Sequence, residues 1–176
     1  PWAFTLREVA RRTGVSHAAP YKHFRDKEAL LREVARIGFV RLGQAMETAL
    51  FPGLPSSREK FVAGAQACIA FACHNPGLYR LMFSADADKA VDPRLHEAAM
   101  ATFGILLRLL QEGQQDGSFR AVPITAQAAA SWAQVHGLAM LAMNGQLLEE
   151  KVGPDPVRAA LDVLLDGLCQ SHRKKH

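Results

Sequence analysis

The chain has 176 residues, 49% of them hydrophobic and 22% charged, with a formal net charge of +4. That is enough for one or two small domains and a sizeable core, and no stretch reaches the roughly 18 uncharged apolar residues that a membrane span needs. The charge is unevenly placed: residues 1–44 carry nine Lys/Arg against four Asp/Glu, and residues 45–176 carry twelve against thirteen, so the amino-terminal part bears the positive field expected of a nucleic-acid partner.

Ala and Leu abound and β-branched runs are lacking, which predicts an all-α fold. Nothing at the amino end reads as a signal peptide, so a cytoplasmic protein is expected. The first helix is predicted to start after Thr5, with Glu8 completing a capping box. Leu6, Val9 and Ala10 share its inner face, and Arg7, Arg11 and Arg12 point outward. Gly14 suits the left-handed residue that ends a helix, and Val15 is expected to plug the gap to the next one. Ser16 is the expected cap of a second short helix, His17 to about Phe24, with Pro20 and Phe24 inside and His17, Ala18, Tyr21 and Lys22 outside. Two short helices around such a turn form a helix-turn-helix. The first-turn residues of its second helix reach base edges. His17 supplies a donor, and the Ala18 or Ala19 methyl suits a thymine methyl. Tyr21, Lys22, His23 and Lys27 suit phosphate oxygens. Asp26 is the expected cap of a third helix, with Lys27 in its first turn, a ready phosphate seat.

This stretch resembles the DNA-binding head of TetR-family transcriptional regulators. The residues that carry the resemblance are Thr5-Leu6-Arg7-Glu8-Val9-Ala10, Gly14-Val15-Ser16, Tyr21-Lys22-His23-Phe24 and Asp26-Lys27-Glu28-Ala29-Leu30-Leu31. The resemblance implies that Arg7, His17, Ala18, Tyr21, Lys22, His23 and Lys27 stand where the family touches DNA; Ser16 and Ala19 complete the expected interface. It also implies a three-helix head, whose first helix has no room after Pro1 and is expected in a longer amino terminus. Pro20 departs from the apolar residue usual there. Proline lacks an N–H and disfavours a helical residue before it, so a distorted first turn is expected, which alters the reach of His17 and Ala18.

A long connecting helix is predicted from Lys27 to about Leu50, with Leu30, Leu31, Val34, Ile37, Gly38, Val40, Leu42 and Met46 as its apolar positions. Residues 1–44 are expected to form the head with the start of this helix, and 45–176 a helical ligand-binding and dimerisation domain. Phe51-Pro52-Gly53-Leu54-Pro55 breaks the chain. Further helices are predicted from Ser57, as cap, to about His74; from Leu78 to Ser84; from about Pro93 to Asp116; from Thr125, as cap, to about Leu148; and after Asp155, as cap, to about Cys169. An acidic loop covers Ala85–Pro93, Lys151–Pro154 reads as a turn, and Arg173-Lys174-Lys175 forms a basic tail. The Ala-rich helix before Leu148 and the Leu-rich last helix are apolar nearly all round and need covering on several sides. Two copies packed as a four-helix bundle supply that cover, so a homodimer through the last two helices is expected.

Cys68, Cys73 and Cys169 form no CxxC pair and read as core thiols. Trp132-x-x-x-His136-Gly137 resembles the WHG-type C-terminal domain of one TetR subfamily. His136 reads either as a hydrogen-bonded core histidine or as a polar handle in an apolar pocket. The pocket candidates are Phe71, His74, Tyr79, Met82, Phe83, Met100, Phe103, Trp132, His136 and Met140. None of these carries a permanent charge, so a mostly apolar effector is expected.

The function expected is a ligand-responsive DNA-binding regulator, a repressor released from a double-stranded operator by a small molecule, with no cofactor and no catalytic residues. Two alternatives stay open: a constitutive DNA-binding protein without ligand, and a helical metalloenzyme using His74, His96 and His136, although these show no HExxH or Cys–His spacing.

Overall fold

The computed structural model describes residues 2–50 and 53–169. The basic tail Arg173-Lys174-Lys175 and the Phe51-Pro52 part of the break lie outside the described residues. Among these the fold is all-α, with one isolated β-bridge between Phe119 and Cys169.

Helix α1 spans Leu6–Thr13. Its capping box is complete: Glu8 N–H donates to Thr5 Oγ1 at 3.2 Å, and Thr5 N–H donates to Glu8 Oε2 at 2.6 Å. Leu6 and Ala10 are buried, and Gly14 ends the helix at φ 71°. Only glycine takes that left-handed turn without a Cβ penalty. Val15 does not plug the gap; it is 48% exposed.

The second helix is shorter and tighter than expected. It is a 3₁₀ turn, Pro20–Lys22, reached through a turn over residues 17–19. The cause is Pro20. It has no N–H to give the Ser16 carbonyl, and Ala19 N–H takes that acceptor instead at 2.9 Å. The His23 and Phe24 N–H groups both donate to the Pro20 carbonyl, at 3.0 and 2.8 Å. The cap position of this turn is Ala19 and not Ser16, and it has no side-chain cap.

Helix α2, Lys27–Leu50, has 24 residues and is about 36 Å long at roughly 1.5 Å per residue. Asp26 caps it, accepting from Ala29 N–H at 2.7 Å. Its buried stripe is Leu31, Ala35, Gly38, Phe39, Leu42 and Met46. Val34, Ile37 and Val40, expected among its apolar positions, face outward instead.

Four helices pack around the body half of α2 and behind it: α3 (Ser57–His74), α4 (Pro76–Met82), α5 (Pro93–Gln115) and α6 (Ile124–Met143). A single turn, α7 (Glu149–Val152), stands where a plain turn was expected, and α8 (Pro156–Leu168) closes the chain against α3 and α6. Three starts differ from the sequence reading. Ser56, not Ser57, caps α3, accepting from Glu59 N–H; Ser57 is buried and donates to Asp116 Oδ2 at 2.5 Å. Pro76 sets the start of α4, because its fixed φ suits a first turn. Thr125 lies inside α6, whose cap position is Pro123, and α6 ends at Met143 before Gly145 at φ 65°. Asp92 and Asp155 cap α5 and α8. Of the cysteines, Cys73 is exposed rather than a core thiol, while Cys68 and Cys169 are partly covered.

Candidate nucleic-acid interface and body cavity

The amino-terminal interface is built from α1, the Pro20 turn and the start of α2. Arg7, Ser16, His17, Ala18, Tyr21, Lys22 and His23 are exposed, and Ala19 is half-buried. His17 and Tyr21 therefore both reach solvent on the tight turn, with Tyr21 54% exposed. Lys27 differs. It is half-buried, its Nζ donates to the Trp2 carbonyl at 3.0 Å and sits 5.5 Å from the Phe4 ring centroid. One of its three donors is thus engaged within the chain, which ties residues 2–4 to the first turn of α2. Arg11, Arg12 and Arg25 are exposed nearby. A cationic outer face around a protruding turn can seat phosphates and offer short side chains to base edges.

The body holds a cavity of about 500 Å³. Its wall comes from Phe39, Leu42 and Met46 of α2; Phe61, Gly64, Ala65 and Cys68 of α3; Tyr79 of α4 and Phe83 just after it; Lys89 of the following loop; Ala99, Met100, Thr102, Phe103, Leu106 and Leu109 of α5; and Trp132, Val135 and His136 of α6. Six of the ten pocket candidates line it: Tyr79, Phe83, Met100, Phe103, Trp132 and His136. Four do not. Phe71 lies one turn past Cys68 on α3, in the core. His74 is exposed, its Nδ1 2.7 Å from the Ala70 carbonyl in the last turn of α3. Met82 is fully buried against Gly38 of α2. Met140 sits one turn beyond His136 on α6. Sequence reasoning also overlooked the α2 wall, of which Leu42 and Met46 read as plain core and Phe39 was not singled out, and Lys89, which reads as part of an acidic loop.

Besides Thr102, whose hydroxyl lies 2.9 Å from both the Phe39 and Ala98 carbonyls, two groups give the cavity polarity. Tyr79 Oη lies 3.0 Å from His136 Nδ1 and 3.9 Å from Cys68 Sγ. The Tyr79 and His136 rings stack at 5.5 Å between centroids. Burial pushes the Cys68 thiol up to about 11, raises the Tyr79 phenol and lowers His136, so all three are held neutral. His136 is thereby both a bonded histidine and part of the cavity wall. The second group is Lys89, whose Nζ donates to the Met82 carbonyl at 2.9 Å. Burial lowers its pKa, and neighbouring Asp88 opposes that shift. The expectation of a wall without permanent charge is corrected by Lys89.

His74 and His96 are both exposed and do not join His136; among the described residues no cluster of three His, Cys, Asp or Glu side chains could hold a metal. No helix among them is long and apolar enough to cross a membrane.

A capped helix, a left-handed glycine, a short protruding turn and a long helix leading to a hollow helical body define a helix-turn-helix regulator. The family model for bacterial regulatory proteins of the tetR family matches residues 2–34, and that for the tetracyclin repressor-like C-terminal domain matches residues 61–168. The chain belongs to the TetR family of DNA-binding transcriptional regulators. It is 36% identical to a protein of unknown function from Rhodococcus sp. RHA1, over 95% of this chain and 86% of that one, with a TM-score of 0.83. The same fold occurs in the TetR-family regulator PfmR from Thermus thermophilus (23% identity, 96% and 91% covered, TM-score 0.73). It also occurs in the regulator FadR from Bacillus subtilis, solved in complex with stearoyl-CoA (16% identity, 94% and 89% covered, TM-score 0.74). No curated protein matches the sequence.

Proposed function

We propose that this chain is a sequence-specific repressor that binds its operator as a homodimer and leaves it when a small, mostly apolar molecule fills the body cavity. The observation that carries the reading is the shared use of α2. Its first turn is joined to residues 2–4 of the head through Lys27, and its Phe39, Leu42 and Met46 form one wall of the cavity. A molecule that reshapes that wall moves the helix on which the head rests. It shifts the equilibrium only by its differential affinity for the two states; a hundredfold ratio corresponds to about 2.7 kcal/mol.

Contact with DNA falls to Arg7, Ser16, His17, Ala18, Ala19, Tyr21, Lys22, His23 and Lys27. The head comprises residues 1–44 and the body 45–176. The outer sides of α6 and α8 favour dimerisation: Trp132, Leu141 and Val163 are 48%, 46% and 73% exposed, beside exposed Ala129, Ala130 and Ala133. Such a pair sets the two heads in successive major grooves, about 34–36 Å apart. The resemblance of Trp132-x-x-x-His136-Gly137 to the motif of the WHG-type domains supports reading the body as one of them. The role is that of a cytoplasmic regulator and not of an enzyme.

Footprinting of the region upstream of the protein's own gene, with and without candidate apolar molecules, tests this. Protection of a two-fold symmetric stretch that is lost on adding one of them is expected. Protection no better than on a random fragment refutes DNA recognition, and protection indifferent to every molecule that binds the body refutes the effector role.

A further inference from the structure

We propose that the molecule held in the cavity is an apolar carboxylic acid, bound as its anion, and that Lys89 is its counter-charge. The inference rests on the reading of the cavity as an effector site and specifies what enters it.

Among the described residues, Lys89 is the one formally charged side chain in the cavity wall. Its ammonium makes a single hydrogen bond, to the Met82 carbonyl, and lies 5.3 Å from the Phe39 ring centroid and 5.9 Å from that of Phe83. A carbonyl and two aromatic faces satisfy an ammonium only in part, and two of its three donors remain for a guest. Among the described residues no carboxylate forms an ion pair with it; Asp88, its chain neighbour, acts only at a distance. A half-buried cation without an ionic partner is costly, and a guest anion relieves that cost. A cationic guest would be repelled. A phosphate monoester, at about −1.5 to −2, would bury negative charge that one lysine cannot balance. A single carboxylate matches.

The remainder of the wall sets the shape of the guest. Lys89 stands beside Phe39, and Met46 lies seven residues further along α2, about 10 Å away at roughly 1.5 Å per residue. Beside Met46 the wall is Gly64 and Leu109, neither with a polar side chain. The cavity thus has a charged end and an apolar end, which fits an amphiphile with its head at Lys89 and a tail of about 10 Å. The carboxylate also has a route to α2. It is held by the same ammonium that donates to the Met82 carbonyl, and Met82 ends α4, whose Met82 and Leu78 side chains lie against Gly38 of α2.

Decanoate and decanamide, alike in tail and different in head charge, are titrated calorimetrically into the full chain, as wild type, Lys89→Met and Lys89→Arg, each checked by thermal melting. Decanoate is expected to bind the wild type at least about tenfold more tightly, about 1.4 kcal/mol. Lys89→Met is expected to erase that preference while keeping decanamide, and Lys89→Arg to retain most of it. Equal wild-type affinity for the two probes, or a preference that survives in Lys89→Met, overturns the counter-charge and leaves the cavity reading standing. Failure of both probes to bind the wild type overturns both together. Should Lys89→Met not fold, the wild-type ratio alone decides.

Discussion

Gly113→Ala tests how tightly the body is packed. A Cβ at Gly113 would lie 2.1, 2.4 and 2.8 Å from the Cδ2, Cε2 and Cγ atoms of Phe119. Carbon atoms pack at about 3.5–4.0 Å, so the ring would have to retreat by at least about 1.4 Å. It has little freedom to do so. Phe119 is fully buried, its ring stands edge-on to Phe61 at 6.2 Å, and its own N–H donates to the Gly113 carbonyl at 2.7 Å. Overpacking of this kind costs about 1–3 kcal/mol, and the better helix propensity of Ala returns about 1 kcal/mol. Because the obstructing group is a pinned ring and not a flexible tip, the net expectation is a loss of about 1–2 kcal/mol. For a chain of this length that lowers Tm by about 2–8 °C. Calorimetry at a fixed protein concentration measures it, since association shifts Tm. An unchanged or higher Tm would refute the packing argument. Phe61 also lines the cavity, so the same variant is expected to weaken binding there.

Three further outcomes are expected. Arg7→Ala and Lys22→Ala should each weaken binding to specific and random DNA alike and reduce the salt slope by about one, whereas changing His17 should alter sequence preference; fluorescence anisotropy across a salt series separates the two. Tyr79→Phe removes the hydroxyl that meets His136 Nδ1 and should cost about 1–3 kcal/mol, read as a lower urea midpoint with an unchanged m-value; an unshifted midpoint contradicts it. Burial holds the His136 imidazole below its ordinary pKa, so the unfolded chain takes up a proton there that the folded chain refuses. That contribution to stability is complete above about pH 6.5 and is lost as the pH falls through the lower folded value. His136→Gln should therefore flatten the fall in stability below about pH 6.5 in denaturation curves, and an unaltered slope argues against it.

The head was legible because its signals are local. Thr5 with Glu8, Gly14 and Asp26 each act within four residues, and each does in the structure what its chemistry indicates. Pro20 was legible as a disturbance but not in extent: one missing N–H turns an expected eight-residue helix into a three-residue 3₁₀ turn. The starts of α3 and α6 were misjudged by a residue or two, because adjacent Ser56 and Ser57 are equivalent caps until Asp116 claims one of them. Most apolar residues of α2 could be found, but Phe39 was missed, and periodicity alone did not separate buried Leu42 from exposed Ile37 and Val40. Which side of that helix meets neighbours is tertiary information. The cavity was legible where aromatic residues cluster on α4, α5 and α6. It was not legible on α2, where wall and core use the same side chains, nor at Lys89, whose burial depends on how a loop folds over Phe39 and Phe83.

Selection from a pool of randomised duplexes by the purified chain, at a salt concentration that suppresses non-specific binding, bears on the head itself. Enrichment of a two-fold symmetric sequence with half-sites about one helical turn apart, changed in its readable bases by substitution of His17, is the expected result. A pool that emerges unenriched, or a selected sequence indifferent to every exposed residue from Ser16 to His23, would contradict the assignment of this turn as the element that reads DNA.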